Sequence, residues 1–280
     1  MTGLRYVYAV CRPFGAALQS QLTGVAGAPP KLLHHGGLVA VVSSVPEDDF
    51  AEEPLRAHLE DLDWLTATAR SHQGVIDALT TVTTPLPLRL GTVFRDDSGV
   101  RMMLEAREGD FLRTLDRLSG RVEWGVKVYA EPAAGESGEP GASGVSARPG
   151  GEAGEPGGAA QGPGTVDGVA VTAMSGRDYL RRRSRSVKER ETGLRKVEEF
   201  ADRLHERLTA HAEDARMHAP QSAQLSGASG RNVLNAAYLV PRGQSEEFVE
   251  IVDRTKDEMP GVRVELTGPW AAYSFAGEKP

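Results

Sequence analysis

The chain has 280 residues, of which 40% are hydrophobic, and it carries a formal net charge of −7. This length predicts two domains, and the acidic balance argues against a general nucleic-acid binder, which needs a basic surface to displace counterions. A single cysteine, Cys11, excludes an internal disulfide, and the first residues lack a secretory signal, so we expect a cytoplasmic protein. No apolar run approaches the roughly 20 residues of a membrane-spanning helix.

The beginning of the chain predicts two strands and a helix. Residues 4–10 and 38–45 are rich in β-branched and aromatic side chains and predict strands, the second nearly all apolar and therefore central in its sheet. The acidic residues and the proline around position 54 favour the start of one long helix. Its apolar residues recur every seven positions from Leu55 to Ile76.

Three more elements complete this part of the chain. Residues 86–94 predict a strand, residues 108–118 a helix and residues 122–129 a final strand. Strands that alternate with two packing helices predict a ferredoxin-like α+β sheet with helices on one face. We place this N-terminal domain at residues 1–131.

A change of composition separates the two predicted domains. Residues 132–168 consist mainly of glycine, proline, alanine, serine and glutamate, and Val145 and Val166 are their only larger apolar residues. Such a segment buries too little apolar surface to offset the entropy of ordering. The sequence therefore predicts a disordered linker at 132–168 and a C-terminal domain at 169–280.

The C-terminal domain is expected to combine a long amphipathic helix with a small sheet. Apolar residues recur every seven positions from Leu180 to Leu208 and predict a helix at about 178–211. A strand at 234–240, a helix opened by Ser245 and a strand at 262–266 predict a β-α-β unit. This order echoes the N-terminal domain, although no residue-level repeat is present.

Sequence signatures of catalysis are absent. The chain has no phosphate-binding loop, no GxSxG turn, no HExxH helix and no cysteine pair. His58 and His72 share one row of the predicted long helix, but 14 helical residues separate them by roughly 20 Å, too far to share a metal. We interpret both as packed or boundary residues, and we expect no enzyme activity, no cofactor and no metal site.

A basic run is one of two candidate contact sites. Residues 181–190 contain six basic residues and one acidic residue. Arginine matches phosphate oxygens, so the run could bind nucleic acid, or it could be a solvated or internally paired helix face. Because acidic residues lie close by, we favour a docking surface for an acidic protein partner or for the other domain, with Arg181, Arg182 and Arg183 as candidates.

The second candidate site is an aromatic set near the C-terminus. Trp270, Tyr273 and Phe275 follow the dipeptide Gly268-Pro269. Aromatic residues dominate interface hot spots, so this set could anchor a partner. We favour the alternative, in which the three rings pack in the core or against the other domain.

Five separated segments of the chain follow one another as RYVYAV, PLPLRLGTVF, VEWGVKVY, YLRRR and VRVELTGPWAAYSF. In this combination they resemble the GvpL/GvpF family of gas vesicle proteins, over nearly the whole chain apart from the predicted linker. Related proteins commonly carry two prolines where this chain has Ala271 and Ala272.

The resemblance implies a minor gas vesicle component without catalysis, located in the cytoplasm at the gas vesicle. It would assist assembly of the shell by binding the major shell protein GvpA, limiting its aggregation, and by contacting other gas vesicle proteins. We expect the N-terminal sheet, with residues 38–45 and 86–94, to offer the contact surface or an edge for strand addition. Two alternatives are a small-molecule-sensing regulatory protein with a ferredoxin-like module and an RNA-associated protein that uses residues 181–188.

Overall fold

The computed structural model describes residues 3–15, 22–131, 176–220 and 230–277. These fall into two compact units, one within residues 1–131 and 197–280 and the other within residues 132–196. The linker predicted at 132–168 lies outside the described residues. The predicted domain boundaries therefore stay a prediction.

The first sheet is antiparallel and has the spatial order β2-β3-β1-β4, with β5 also paired to β1. Its strands are β1 (Leu4–Cys11), β2 (Lys31–His35), β3 (Leu38–Val45), β4 (Leu86–Pro87) and β5 (Val93–Phe94). The helices that follow these strands are α1 (Glu47–Phe50), α2 (Glu52–His58), α3 (Leu62–Thr80), α4 (Asp97–Ala106) and α5 (Glu108–Leu118).

Helices cover both faces of this sheet. Tyr6 and Tyr8 of β1 belong to a buried cluster with α3, whereas Val7 and Val10 belong to a second cluster with α4 and α5. The sequence predicted helices on one face, and this detail is corrected by the structure. The physical reason is that β1 and β3 are apolar at nearly every position, so each face of the sheet has to be removed from water.

The single long helix expected from position 54 is in fact two helices. The α2 helix ends at His58, and Asp61 starts α3 by accepting hydrogen bonds from the backbone N–H groups of Asp63 and Trp64, at 2.9 and 3.2 Å. An aspartate in the N-cap position satisfies donors that a helix start leaves free. The seven-residue apolar spacing continues across this break, so the sequence predicted one helix where the structure has two.

The strand expected at 86–94 is also interrupted. Only the two ends of this segment, β4 and β5, are strands paired with β1, and the chain between them turns through Gly91, whose φ is +78°. Backbone hydrogen bonds from Leu88 to Tyr8 and from Val7 to Thr92, at 2.8 and 2.9 Å, keep the interrupted segment against β1. A positive φ favours glycine, which has no Cβ to clash.

The second sheet has the spatial order β7-β8-β6-β9 and is also antiparallel. Its strands are β6 (Arg121–Ala130), β7 (Asp214–Met217), β8 (Arg231–Pro241) and β9 (Val262–Trp270), and its helices are α6 (Gly176–Thr209) and α7 (Ser245–Thr255). The strand predicted at 122–129 was expected to close the N-terminal sheet, and this was wrong. It is β6, a central strand of the second sheet that pairs along its length with β8 on one side and β9 on the other.

Both sheets therefore use one strand order. When the strands of each sheet are numbered in chain order, both sheets have the spatial order 2-3-1-4. This is the ferredoxin-like arrangement. The predicted β-α-β unit is present as β8, α7 and β9, with β6 lying between its two strands. The expected α+β class is confirmed.

The long helix α6 has two different halves. From Val197 onwards its apolar face is buried against the second sheet, with Leu204 and Leu208 at 1% and 0% exposure. Val187 in the first half is 44% exposed, although it belongs to the same seven-residue spacing. Spacing alone thus identified the helix but not where its burial begins.

Candidate functional site

The segment after β9 crosses between two hydrophobic clusters of the first unit. Ala271 is buried in the cluster beneath α3, whereas Ala272 belongs to the cluster of α4 and α5. Gly268 starts this path with φ of +126°, and a Cβ there would lie 2.8 Å from the Glu123 carbonyl oxygen. The close approach of the backbone requires glycine at this position.

A buried carboxylate holds the turn at Tyr273–Phe275. The Glu123 side chain accepts hydrogen bonds from the backbone N–H of Ser274 at 2.8 Å and from its hydroxyl at 2.7 Å. Glu123 lies in β6 and is 9% exposed, and this burial raises the pKa of its carboxyl. The hydrogen bonds from Ser274 and the charges of His218 and Arg216 act in the opposite direction and favour the ionised form.

Phe275 is the buried end of this turn. Its ring is fully buried in a cluster that also contains Leu115 of α5 and Leu239 of β8. Its carbonyl oxygen accepts a hydrogen bond from the Arg117 guanidinium, and the Arg216 guanidinium lies 5.5 Å from the centre of its ring. Phe275 therefore packs between elements of the two sheets.

Tyr273 faces the other cluster. Its hydroxyl donates to the side-chain oxygen of Gln73 in α3 at 3.1 Å, and its ring lies 6.4 Å from that of His72. His72 is 4% exposed, and its Nδ1 lies 2.9 Å from the hydroxyl of Tyr6. Burial lowers the pKa of His72 to about 4, so its imidazole is neutral near pH 7. His72 is thus a packed histidine, as expected from the sequence.

Trp270 differs from the other two aromatic residues because 41% of it is exposed. It lines a small cleft of about 50 Å³ together with Thr80, Thr84 and Arg242. The Arg242 side chain is exposed and has no acidic partner within the described part of the chain. Tryptophan and arginine are both residue types that are enriched in interface hot spots.

The basic candidates lie in the first half of α6. The side chains of Arg181 and Arg183 are exposed, and Arg182 follows in the same helical turn. Arg185 and Lys188 extend the exposed basic surface along the helix. The three arginines belong to the second unit and the three aromatic residues to the first, and their role in partner contact stays a prediction.

Sequence reasoning missed Glu123 and Ser274. Glu123 stands in a strand that alternates apolar and polar residues, and this pattern placed its side chain on a face we took to be solvated. Its acceptor role depends on a segment 151 positions later. A lone acid between two apolar residues in VEW was the only available signal.

The described ranges contain no cluster of histidine, cysteine, aspartate and glutamate that could hold a metal ion. Within the same ranges, none of the helices combines the length and the apolar character needed to cross a bilayer.

The fold defines an α+β protein made of two antiparallel sheets with one strand order, joined by a C-terminal turn. The sequence model of the family "Gas vesicle synthesis protein GvpL/GvpF" matches residues 4–277 of this chain. The chain belongs to this family.

Relatives and solved structures agree with that assignment. The chain is 53% identical to Gas vesicle protein L of Streptomyces sp. (strain CB03234), over 98% of this chain and 93% of the relative. It is 28% identical to Gas vesicle protein F of the same strain, over 96% and 98% of the two chains. Crystal structures of GvpF from Microcystis aeruginosa and Anabaena sp. PCC7120 both superpose with a TM-score of 0.64, at 18% and 15% identity. They cover 99% of this chain and 100% and 98% of their own, and they support the fold.

Proposed function

We propose that this chain assists assembly of the gas vesicle shell by binding the shell protein GvpA through a folded surface, without catalysis, in the cytoplasm. Membership of the GvpL/GvpF family supports a role in the gas vesicle. The observation that carries the proposed contact is the exposed Trp270 beside Arg242, on a segment anchored from within by Tyr273 and Phe275. A side chain held on a rigid support loses little entropy when it binds.

The proposed benefit to the shell protein is protection before incorporation. A subunit that will present an apolar face to a gas space exposes that face while it is free, and exposed apolar surface promotes aggregation. A partner that covers the face until the subunit is added would let growth proceed in order. Tryptophan supplies the apolar contact area for such a surface.

The two strand segments first expected to form the contact differ in their access to a partner. The β3 strand at Leu38–Val45 is paired on both sides, with β1 and β2, and only one of its residues is exposed. Strand addition to this sheet would use the outer edge of β2 or the outer edge of β4 and β5, which lie within the expected residues 86–94. Because β6 belongs to the second sheet, removal of residues 1–130 would also destroy that sheet, so the proposal is tested with point variants of the full chain.

The test compares Trp270→Ala with Met102→Ala, which removes another exposed apolar side chain from the same unit. Each variant is co-expressed with GvpA, and the GvpA that co-purifies with it is measured. We expect Trp270→Ala to weaken capture about tenfold or more, since hot-spot residues contribute that much, and Met102→Ala to retain it. Equal capture by both variants and by the unmodified chain would overturn the proposed surface.

A further inference from the structure

Two short segments of this chain carry large net charges of opposite sign. Residues 47–63 contain eight acidic residues and one arginine, a net charge of −7 that equals the charge of the whole chain. Residues 181–196 contain eight basic and two acidic residues, a net charge of +6. Segregated charge of this kind favours association between complementary surfaces.

The negative segment presents apolar side chains as well as charge. It runs from α1 to the start of α3, and its Leu59 and Leu62 are 42% and 76% exposed. We call residues 47–63 the acidic leucine surface. Some of its carboxylates lie in the first turns of three successive helices, where they interact favourably with the helix dipoles. That role does not explain two exposed leucines, nor Glu60, which lies between α2 and α3.

The acidic leucine surface contains aromatic contacts that connect it to the core. The ring of Trp64 stacks on His58 with 4.9 Å between ring centres and lies 5.5 Å from the buried Phe50. Glu53 and Glu60 are exposed and form no ion pair with any residue in the described ranges. The surface therefore offers unpaired carboxylates at Glu53 and Glu60 together with two exposed leucines.

The positive segment carries the complementary charge along one side of its helix. Arg181, Arg185 and Lys188 lie at intervals of four and three residues, so they share one side of the helix. We call these three residues the basic helix face. Val187, which is 44% exposed, lies about 100° or more around the helix from each of them and is not part of this face. The three cations are complementary in charge to the carboxylates of the acidic leucine surface.

We propose that the basic helix face of one copy of this chain binds the acidic leucine surface of a second copy. The two surfaces differ, so the contact is heterologous, and a pair of bound copies leaves one surface of each kind free. Such a contact builds open chains of copies until a surface is covered. The proposal concerns the purified protein alone and does not depend on GvpA binding.

The first measurement is the dependence of mass on salt and protein concentration, by analytical ultracentrifugation of the full chain. At roughly 0.1 M salt we expect the mean mass to rise with concentration above the 30.0 kDa of one copy. At roughly 1 M salt, where the screening length falls from about 10 Å to about 3 Å, we expect one copy only. A mass of one copy at low salt and all concentrations would overturn the proposal.

The second measurement uses charge reversal on each surface separately. One variant carries Arg181→Glu, Arg185→Glu and Lys188→Glu, and the other carries Glu53→Lys and Glu60→Lys. Each retains one intact surface, so each alone should lose the increase in mass at low salt. An equal mixture should form a complex of two copies that grows no further, because only one pair of intact surfaces is present.

Two controls separate this contact from a loss of folding. Thermal unfolding followed by circular dichroism identifies any variant that does not fold, and Leu62→Ser, which removes an exposed side chain without changing charge, should weaken association of a folded chain. Association that persists in either single set, or a mixture that stays at the mass of one copy, would refute the contact.

Discussion

The two sheets share a strand order but are covered in different ways. The first sheet has α3 on one face and α4 and α5 on the other. The second has α6 and α7 on one face of β6, where Val126 and Val128 are fully buried. Its other face carries Glu123, which receives the C-terminal turn. One topology thus accepts two layer arrangements, and the apolar or alternating character of the strands decides between them.

The C-terminal turn is where these two arrangements meet. The cluster around Phe275 contains residues of β1, α5 and β8, so the two sheets share part of one core. If this shared core matters for stability, variants of the turn should affect the whole protein and not a local segment. Three predictions test the comparison, from the largest effect to the smallest.

The largest effect is expected for Phe275→Ala. This change removes a fully buried ring and leaves a cavity between elements of both sheets, and such changes cost about 3–5 kcal/mol of unfolding free energy. Urea denaturation measures the loss. Met102→Ala, at a site that is 65% exposed, is the control and should stay within about 0.5 kcal/mol of the unmodified chain. Similar values for both variants would contradict a shared core.

The next prediction concerns acid and the first sheet. Burial lowers the folded-state pKa of His72 to about 4, so the unfolded chain binds more protons than the folded chain below about pH 6.5. His72 therefore costs stability as pH falls through this window, up to about 3 kcal/mol near its end. We compare unfolding free energies of the unmodified chain and His72→Gln between about pH 7 and pH 4. The gap should move in favour of the variant as pH falls, and a constant gap would contradict the prediction.

Glu123 should give a smaller effect of opposite sign. Burial raises its pKa above the ordinary value, so its contribution to stability is largest at low pH and decreases as pH rises through the folded-state pKa. Glu123→Gln should remove this dependence. Glu123→Ala leaves the Ser274 N–H without its acceptor and should cost about 1–3 kcal/mol.

The same pH series that is used for His72 measures these variants. A difference between the unmodified chain and Glu123→Gln that does not change with pH would show that the carboxyl does not titrate differently on folding. Opposite pH trends at His72 and Glu123 would instead assign acid sensitivity to the α3 side of the first sheet and not to the turn on the second.

Local elements of this chain were largely predictable from its sequence. The strand at residues 38–45, the helix at 108–118 and the β-α-β order after residue 230 were confirmed because apolar periodicity and turn residues act over a few positions. The family was also predictable, since five segments in a fixed order carry much more information than any one of them. The break at Asp61 was missed because the seven-residue apolar spacing continues through it.

The tertiary structure decided which strands pair and which polar groups are buried. Position in the sequence assigned the strand at 122–129 to the first domain, but backbone hydrogen bonding placed it in the second sheet, where it finds partners on both sides. The exposure of Trp270 and the burial of Phe275 likewise depend on contacts with residues more than 100 positions away. Sequence patterns show which side chains of a segment are suited to the core and which to water. Strand pairing and burial depend in addition on which distant segments pack against that segment.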